Sequence, residues 1–159
     1  KGGHEMAKIE INILNLRVVR EKSGIYAIDN ASITSSGKLH EVAIEVLELD
    51  QRAEEVFCVI CCDSRHRING IYEVFRGGMA ESPVYPAEIF KRALLSNSHI
   101  MFLLHNHPGG SLQPSLPDQQ VTQKLVDGAK ILGMRILDHM IINDEGRYTS
   151  FKELGIMPE

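Results

Sequence analysis

The chain has 159 residues, a length that fits one domain. Its 17 Lys and Arg against 21 Asp and Glu leave a formal charge of −4, which excludes a standing basic surface for non-specific duplex binding but leaves room for a local basic patch. With 43% apolar and 24% charged residues it can bury a core without staples, so disorder is not its dominant state.

In chain order, Ile9, Ile11 and Ile13 alternate with Glu10 and Asn12, the period of a strand with one wet face. Glu21-Lys22-Ser23-Gly24 is a turn signal, and Ile25 to Ile28 can return as the second strand of a hairpin. Ala31 to Lys38, rich in Ser and Thr, reads as a connector. Glu41 to Leu49 is expected as a helix burying Val42, Val46 and Leu49, with Glu41, Glu45 and Glu48 on the opposite side. Glu55 to Cys62 is apolar on both faces and reads as a buried strand. Ile68 to Phe75 is a second strand, ended by Gly77-Gly78. Pro86 opens a helix to about Leu95, with Ile89, Phe90, Ala93 and Leu94 as its apolar face. Ile100 to Leu104 is a short central strand, and a loop rich in Gly and Pro follows it. A helix from about Pro117 to Leu132 is capped by Gly133. Met134 to Ile142 is another strand, and Tyr148 to Phe151 adds a short one. The expectation is one α/β domain with a central mixed β-sheet flanked by helices. Strands near Glu55, Ile68, Ile100 and Met134 are expected at its middle.

The longest strictly apolar run, Val56 to Cys62, is far short of the ~20 residues a spanning helix needs. Lys1 to Lys8 lack an apolar core of the secretory kind. Cys58, Cys61 and Cys62, odd in number and clustered in one apolar run, argue for free thiols in a reducing compartment. A cytoplasmic location with no membrane partner is the expectation.

The chemical signal is His105-x-His107, seven residues, then Ser115-x-x-Asp118. Two residues apart on a strand, the imidazoles point to one side. Neutral imidazole suits a borderline metal such as zinc, and Asp118 can add a third, anionic ligand. Three protein ligands with an open fourth position describe a catalytic zinc site rather than a structural one. The histidines end a predicted strand, where open α/β sheets bind ligands. Ser115-x-x-Asp118 ahead of a helix also has the form of a capping box, a role compatible with chemistry. A general base is required as well. Glu54 and Glu55 open the first buried strand on opposite faces, and alternation by itself does not choose between them.

Three look-alikes fall away. His105-Asn106-His107 spells the name of a nuclease motif whose residues are spread through a ββα unit, whereas these are contiguous. Cys58-x-x-Cys61 lacks a second cysteine pair, and a strand sends the two thiols to opposite faces, so they read as buried. A zinc deaminase needs His-x-Glu followed by Cys-x-x-Cys, and no His-x-Glu occurs here.

Glu55 to Phe151 resembles the RadC-like branch of the JAB/MPN (JAMM) metalloprotease superfamily. The matching pieces are Glu55-Val-Phe ahead of an apolar strand, Arg76-Gly77, Pro86-Ala-Glu-Ile-Phe, His105-Asn-His-Pro-Gly-Gly, Pro114-Ser-Leu-Pro-Asp118 and Leu137-Asp-His-Met-Ile-Ile142. The resemblance implies a cytidine-deaminase-like architecture over 51–159, with 1–50 (the hairpin plus the first helix) as a family-specific extension. It places the zinc ligands on His105, His107 and Asp118, the catalytic glutamate on Glu55, and a serine that donates to the oxyanion on Ser115. Gly109 stands where such chains usually carry Ser, and Ala87 where they often carry Arg. Neither change removes a ligand. Longer members carry an N-terminal segment of DNA-binding type, which residues 1–50 do not resemble, so a short, stand-alone member is expected. Asp138 and His139 face opposite ways on their strand, and His139 reads either as a partner of a metal ligand or as a packing residue, with packing favoured.

The implied activity is a zinc-dependent peptidase or isopeptidase of JAMM type, with a peptide or protein substrate. The alternatives are an accessory protein of DNA metabolism that uses the fold for binding, and a metal-dependent nuclease. The net charge counts against a nucleic-acid partner. A homodimer is compatible with the chain.

Overall fold

A strand without a polar side chain belongs in the interior of a sheet, because neither face can meet water cheaply. β1 (Val56–Cys62) is such a strand, buried at every residue. In the computed structural model, which describes residues 32–77 and 84–159 with positions 19, 24–26 and 28, it is sandwiched between two antiparallel neighbours. These are β2 (Ile68–Arg76) and β3 (Ile100–His107). β4 (Arg135–Asn143) pairs parallel with β3, and β5 (Tyr148–Ser150) closes the sheet antiparallel to β4. The five strands run in the order β2-β1-β3-β4-β5. Among the described residues the central positions therefore fall to β1, β3 and β4, and β2, expected nearer the middle, is an edge. Its pairing with β1 slips twice, passing over Val74 and Asn69.

Three α-helices cover the sheet. α1 (Ser36–Glu45) packs Leu39, Val42 and Ala43 against Cys58, Ile60, Cys62, Phe102, Leu104, Met140 and Ile142 on one face. α2 (Pro86–Leu95) and α3 (Leu116–Ile131) cover the other face, with Ile89, Phe90, Ala93, Leu125, Val126 and Ala129 against Phe57, Val59, Cys61, Met101 and Leu103. The period of two along β1 and β3 thus separates two apolar clusters. The three thiols are free and buried, with Cys58 and Cys62 on one face and Cys61 on the other. Burial pushes the Cys58 and Cys62 thiols up to about 12 and the Cys61 thiol up to about 11.

Three expected boundaries move by three residues or more. The first helix starts at Ser36, not Glu41, because Ser35 caps it by accepting the Lys38 amide at 3.2 Å. The Ser-rich stretch read as a connector is therefore the start of a helix. That helix ends by Val46, since Glu48 is left-handed (φ 50°), and Leu49 is buried from a separate 3-10 turn, Leu49–Gln51. β3 runs through His107, three residues past its expected end, so both histidines stand on the strand itself. The hairpin expected over Ile9 to Ile28 falls, apart from 19, 24–26 and 28, outside the described residues. Among the described residues, no helix is long and apolar enough to cross a membrane.

Candidate metal centre

Strand alternation sends His105 and His107 to the face covered by α3, and Asn106 to the other. His105 is fully buried and its Nε2 lies 2.9 Å from the Nε2 of His107. Phe57, the register partner of His105 on β1, faces the same way. Glu55, two residues before Phe57, shares that face. Glu54 points away and is exposed.

Asp118 reaches the pair from the first turn of α3. Ser115 is the N-cap, and the capping box is complete. The Asp118 amide donates to Ser115 Oγ at 3.2 Å, while Asp118 Oδ2 accepts the Ser115 amide at 2.7 Å and its hydroxyl at 2.6 Å. Oδ1 is left 3.2 Å from His105 Nε2. Burial opposes ionisation of Asp118, but hydrogen bonding and charge from His105, with the two Ser115 donors, outweigh it. Its carboxyl is held well below the usual carboxylate range.

Glu55, His105, His107 and Asp118 each present a ligand atom, and all four atoms lie within 4.8 Å of one another. The sequence-predicted metal residues and Glu55 are thus brought to one point. Ser115 stands beside them with its hydroxyl engaged in the helix cap. The donor set fits a metal ion. His107 Nδ1 faces the Ser111 carbonyl at 2.8 Å, and a carbonyl only accepts. Nδ1 therefore carries a ring proton, and Nε2 is the nitrogen that His107 turns toward His105 and Asp118 as a potential ligand. Two imidazole nitrogens and two carboxylates at one point form a donor set that suits a cation.

Of three residues around this donor set, Thr122 and Asn106 do not stand out as functional in the sequence, and His139 is favoured there for packing. His139 is packed, as expected, between Phe57 and Phe151, but it also hydrogen-bonds His105 Nδ1 at 2.8 Å, so packing is not its whole role. Burial, then the neighbouring His105, hold its imidazole well below the usual histidine range. Thr122, one turn after Asp118, reaches His139 Nδ1 at 2.6 Å. The available signals were a histidine inside the apolar run Leu137 to Ile142 and a Thr four residues after the ligand candidate. Asn106 works from the other face. Its Oδ1 accepts the Val56 amide at 2.7 Å and its Nδ2 donates to the carbonyls of Arg52 and Glu54 at 3.3 and 3.0 Å. It pins the backbone on both sides of Glu55.

Comparison with known proteins places these features in context. A family model described as a RadC-like JAB domain matches residues 33–156, a span that includes α1 and the whole sheet. A UPF0758 protein of Desulfitobacterium hafniense is 43% identical over 118 residues, covering 74% of this chain and 50% of the relative. One from Stenotrophomonas maltophilia is 41% identical over 106 residues, covering 67% and 45%. One from Methanosarcina barkeri is 40% identical over 110 residues, covering 69% and 48%. The chain spans about half the length of the curated relatives it matches.

Proposed function

This chain belongs to the RadC-like JAB domain family, and from that premise we propose that it is a metal-dependent hydrolase of peptide or isopeptide bonds. The observation that carries the reading is the convergence of Glu55, His105, His107 and Asp118 at one point. His105, His107 and Asp118 are the residues that would hold the ion, and zinc is the ion their nitrogen and oxygen donors suit. A zinc ion bound there supplies Lewis acidity, lowering the pKa of a coordinated water from ~15.7 toward ~7. Glu55 accepts the proton of the attacking water and returns it to the leaving nitrogen. The Ser115 hydroxyl turns from Asp118 Oδ2 to donate to the oxyanion, where charge develops in amide hydrolysis. Asn106 holds the Glu55 backbone in place while this happens.

The test is metal analysis paired with a peptide-library cleavage assay on wild type, Glu55→Gln and His107→Ala. Glu55→Gln should keep the metal and lose turnover by ~10²-fold or more. His107→Ala should lose the metal itself. Glu55→Gln with metal bound and turnover intact would remove Glu55 from the chemistry.

A further inference from the structure

We propose that Thr122 and His139 form a proton-ordered relay that fixes the tautomer of His105, so that its Nε2 meets the metal centre as a lone pair. The proposal rests on the metal-centre reading above. It starts from an atom whose hydrogen-bond role is not free. The Asp118 carbonyl can only accept, and it lies 2.6 Å from Thr122 Oγ1. A threonine hydroxyl has one proton, and that contact uses it. Oγ1 then has only lone pairs for His139 Nδ1 at 2.6 Å, so Nδ1 carries the ring proton of His139. His139 Nε2 is therefore an acceptor. It faces His105 Nδ1 at 2.8 Å, so His105 is protonated on Nδ1, which leaves Nε2 as the nitrogen that gives up its proton to a metal.

Each link is isolated from water. Thr122, His139 and His105 are all fully buried. His139 lies against Phe57 and Phe151, at ring-centroid separations of 5.6 and 4.6 Å. Its backbone is held as well, since its amide donates to Asp138 Oδ1 at 2.8 Å, and Asp138 is tied to Ser150 Oγ at 2.6 Å and to the Lys152 amide at 3.0 Å. The reversed proton order would strip the Asp118 carbonyl of the Thr122 proton. It would also set a proton on His105 Nε2, pointing at the ligand atoms of His107 and Asp118. That order closes the site to a metal, and the order set by the Asp118 carbonyl opens it. Thr122 and His139 are positioning residues, because they act through His105 and touch neither metal nor substrate.

The experiment measures zinc affinity by chelator competition, cobalt(II) absorption spectra and long-range ¹H–¹⁵N correlations of the histidine rings. The proteins are wild type, Thr122→Val, Thr122→Ser, His139→Phe and His139→Gln. Thr122→Val is close to isosteric and His139→Phe keeps an aromatic ring in the aromatic pocket, yet both break the relay. Each should lose about 10- to 100-fold in zinc affinity, the usual effect of removing an outer partner of a ligand. Thr122→Ser keeps the hydroxyl, and His139→Gln keeps one acceptor and one donor, so both should stay within a few-fold of wild type. Zinc-loaded wild type should show His105 protonated at Nδ1 with the metal on Nε2. Cooperative melting together with undiminished zinc affinity in Thr122→Val overturns the relay, even if His139→Phe does not fold. Zinc-loaded wild type with the metal on His105 Nδ1 and the proton on Nε2 overturns it too. Wild type that binds no zinc overturns the metal-centre reading and the relay with it, an outcome distinct from a wild type that binds zinc no better than Thr122→Val.

Discussion

Asp118 divides its carboxylate between two tasks, giving Oδ2 to the Ser115 cap and leaving Oδ1 beside His105. Its pH behaviour follows. The folded-state pKa lies below that of an unfolded aspartate, ~3.9, so its contribution to stability is in place above that value. The contribution is lost as pH falls through ~4 toward the depressed value. Asp118→Asn cannot show this loss. In metal-free protein, the stability gap between wild type and Asp118→Asn should shrink as pH drops below ~4, measured by urea midpoints from pH 3 to 7. A gap that widens on acidification would contradict the assigned electrostatics. The same residue shows what a sequence can carry. His105, His107 and Asp118 were legible because strand alternation and helix-cap spacing are local rules. Thr122, His139 and Asn106 were not, because their partners lie 17, 34 and up to 54 residues away and meet only once the sheet is assembled.

At the scale of elements, α2, α3 and the five strands were readable from periodicity and from Pro and Gly punctuation. α1 starts earlier than its apolar period predicts because Ser35 acts as a cap within a stretch whose Ser and Thr composition resembles a loop. The edge position of β2 was hidden because pairing order is a property of several segments at once. One helix contact is unusually close. A Cβ placed on Gly128 in α3 would lie 2.7 Å from Phe90 Cε2 and 2.9 Å from Cζ on α2. Alanine there gains up to ~1 kcal/mol of helix propensity but incurs an overpacking cost of ~1–3 kcal/mol. The second effect should win, because Phe90 is only 8% exposed and has little free space for its ring. Gly128→Ala is expected to lower stability by about 1–2 kcal/mol, read from urea denaturation. A stabilised variant would show that Phe90 can move aside.

For the whole molecule, the candidate metal centre is grafted onto a core that does not need it. Its residues sit at the ends of β1 and β3 and the start of α3, while two separate apolar clusters hold the sheet from either side. Metal removal should leave a folded protein. At metal concentrations of ~100 times Kd, binding contributes about 2.7 kcal/mol, which for a domain of this size corresponds to a Tm drop of roughly 5–10 °C on chelation. Scanning calorimetry with and without chelator, alongside near-ultraviolet circular dichroism, checks this. Loss of the cooperative transition on chelation would mean that the metal holds the fold. The two register slips in the edge strand bear on a different matter, the behaviour of the chain in crowded solution. Val56–Cys62 is a seven-residue segment without charge or proline, the composition that stacks into cross-β fibres when bare. In the native sheet it is hidden between β2 and β3, and β2 presents an outer rim that the slips at Val74 and Asn69 make irregular, a poor template for a neighbouring chain. Solubility therefore depends on β2 staying docked. Any condition that peels it away uncovers the most fibre-prone stretch, so refolding yield should fall steeply as protein concentration rises.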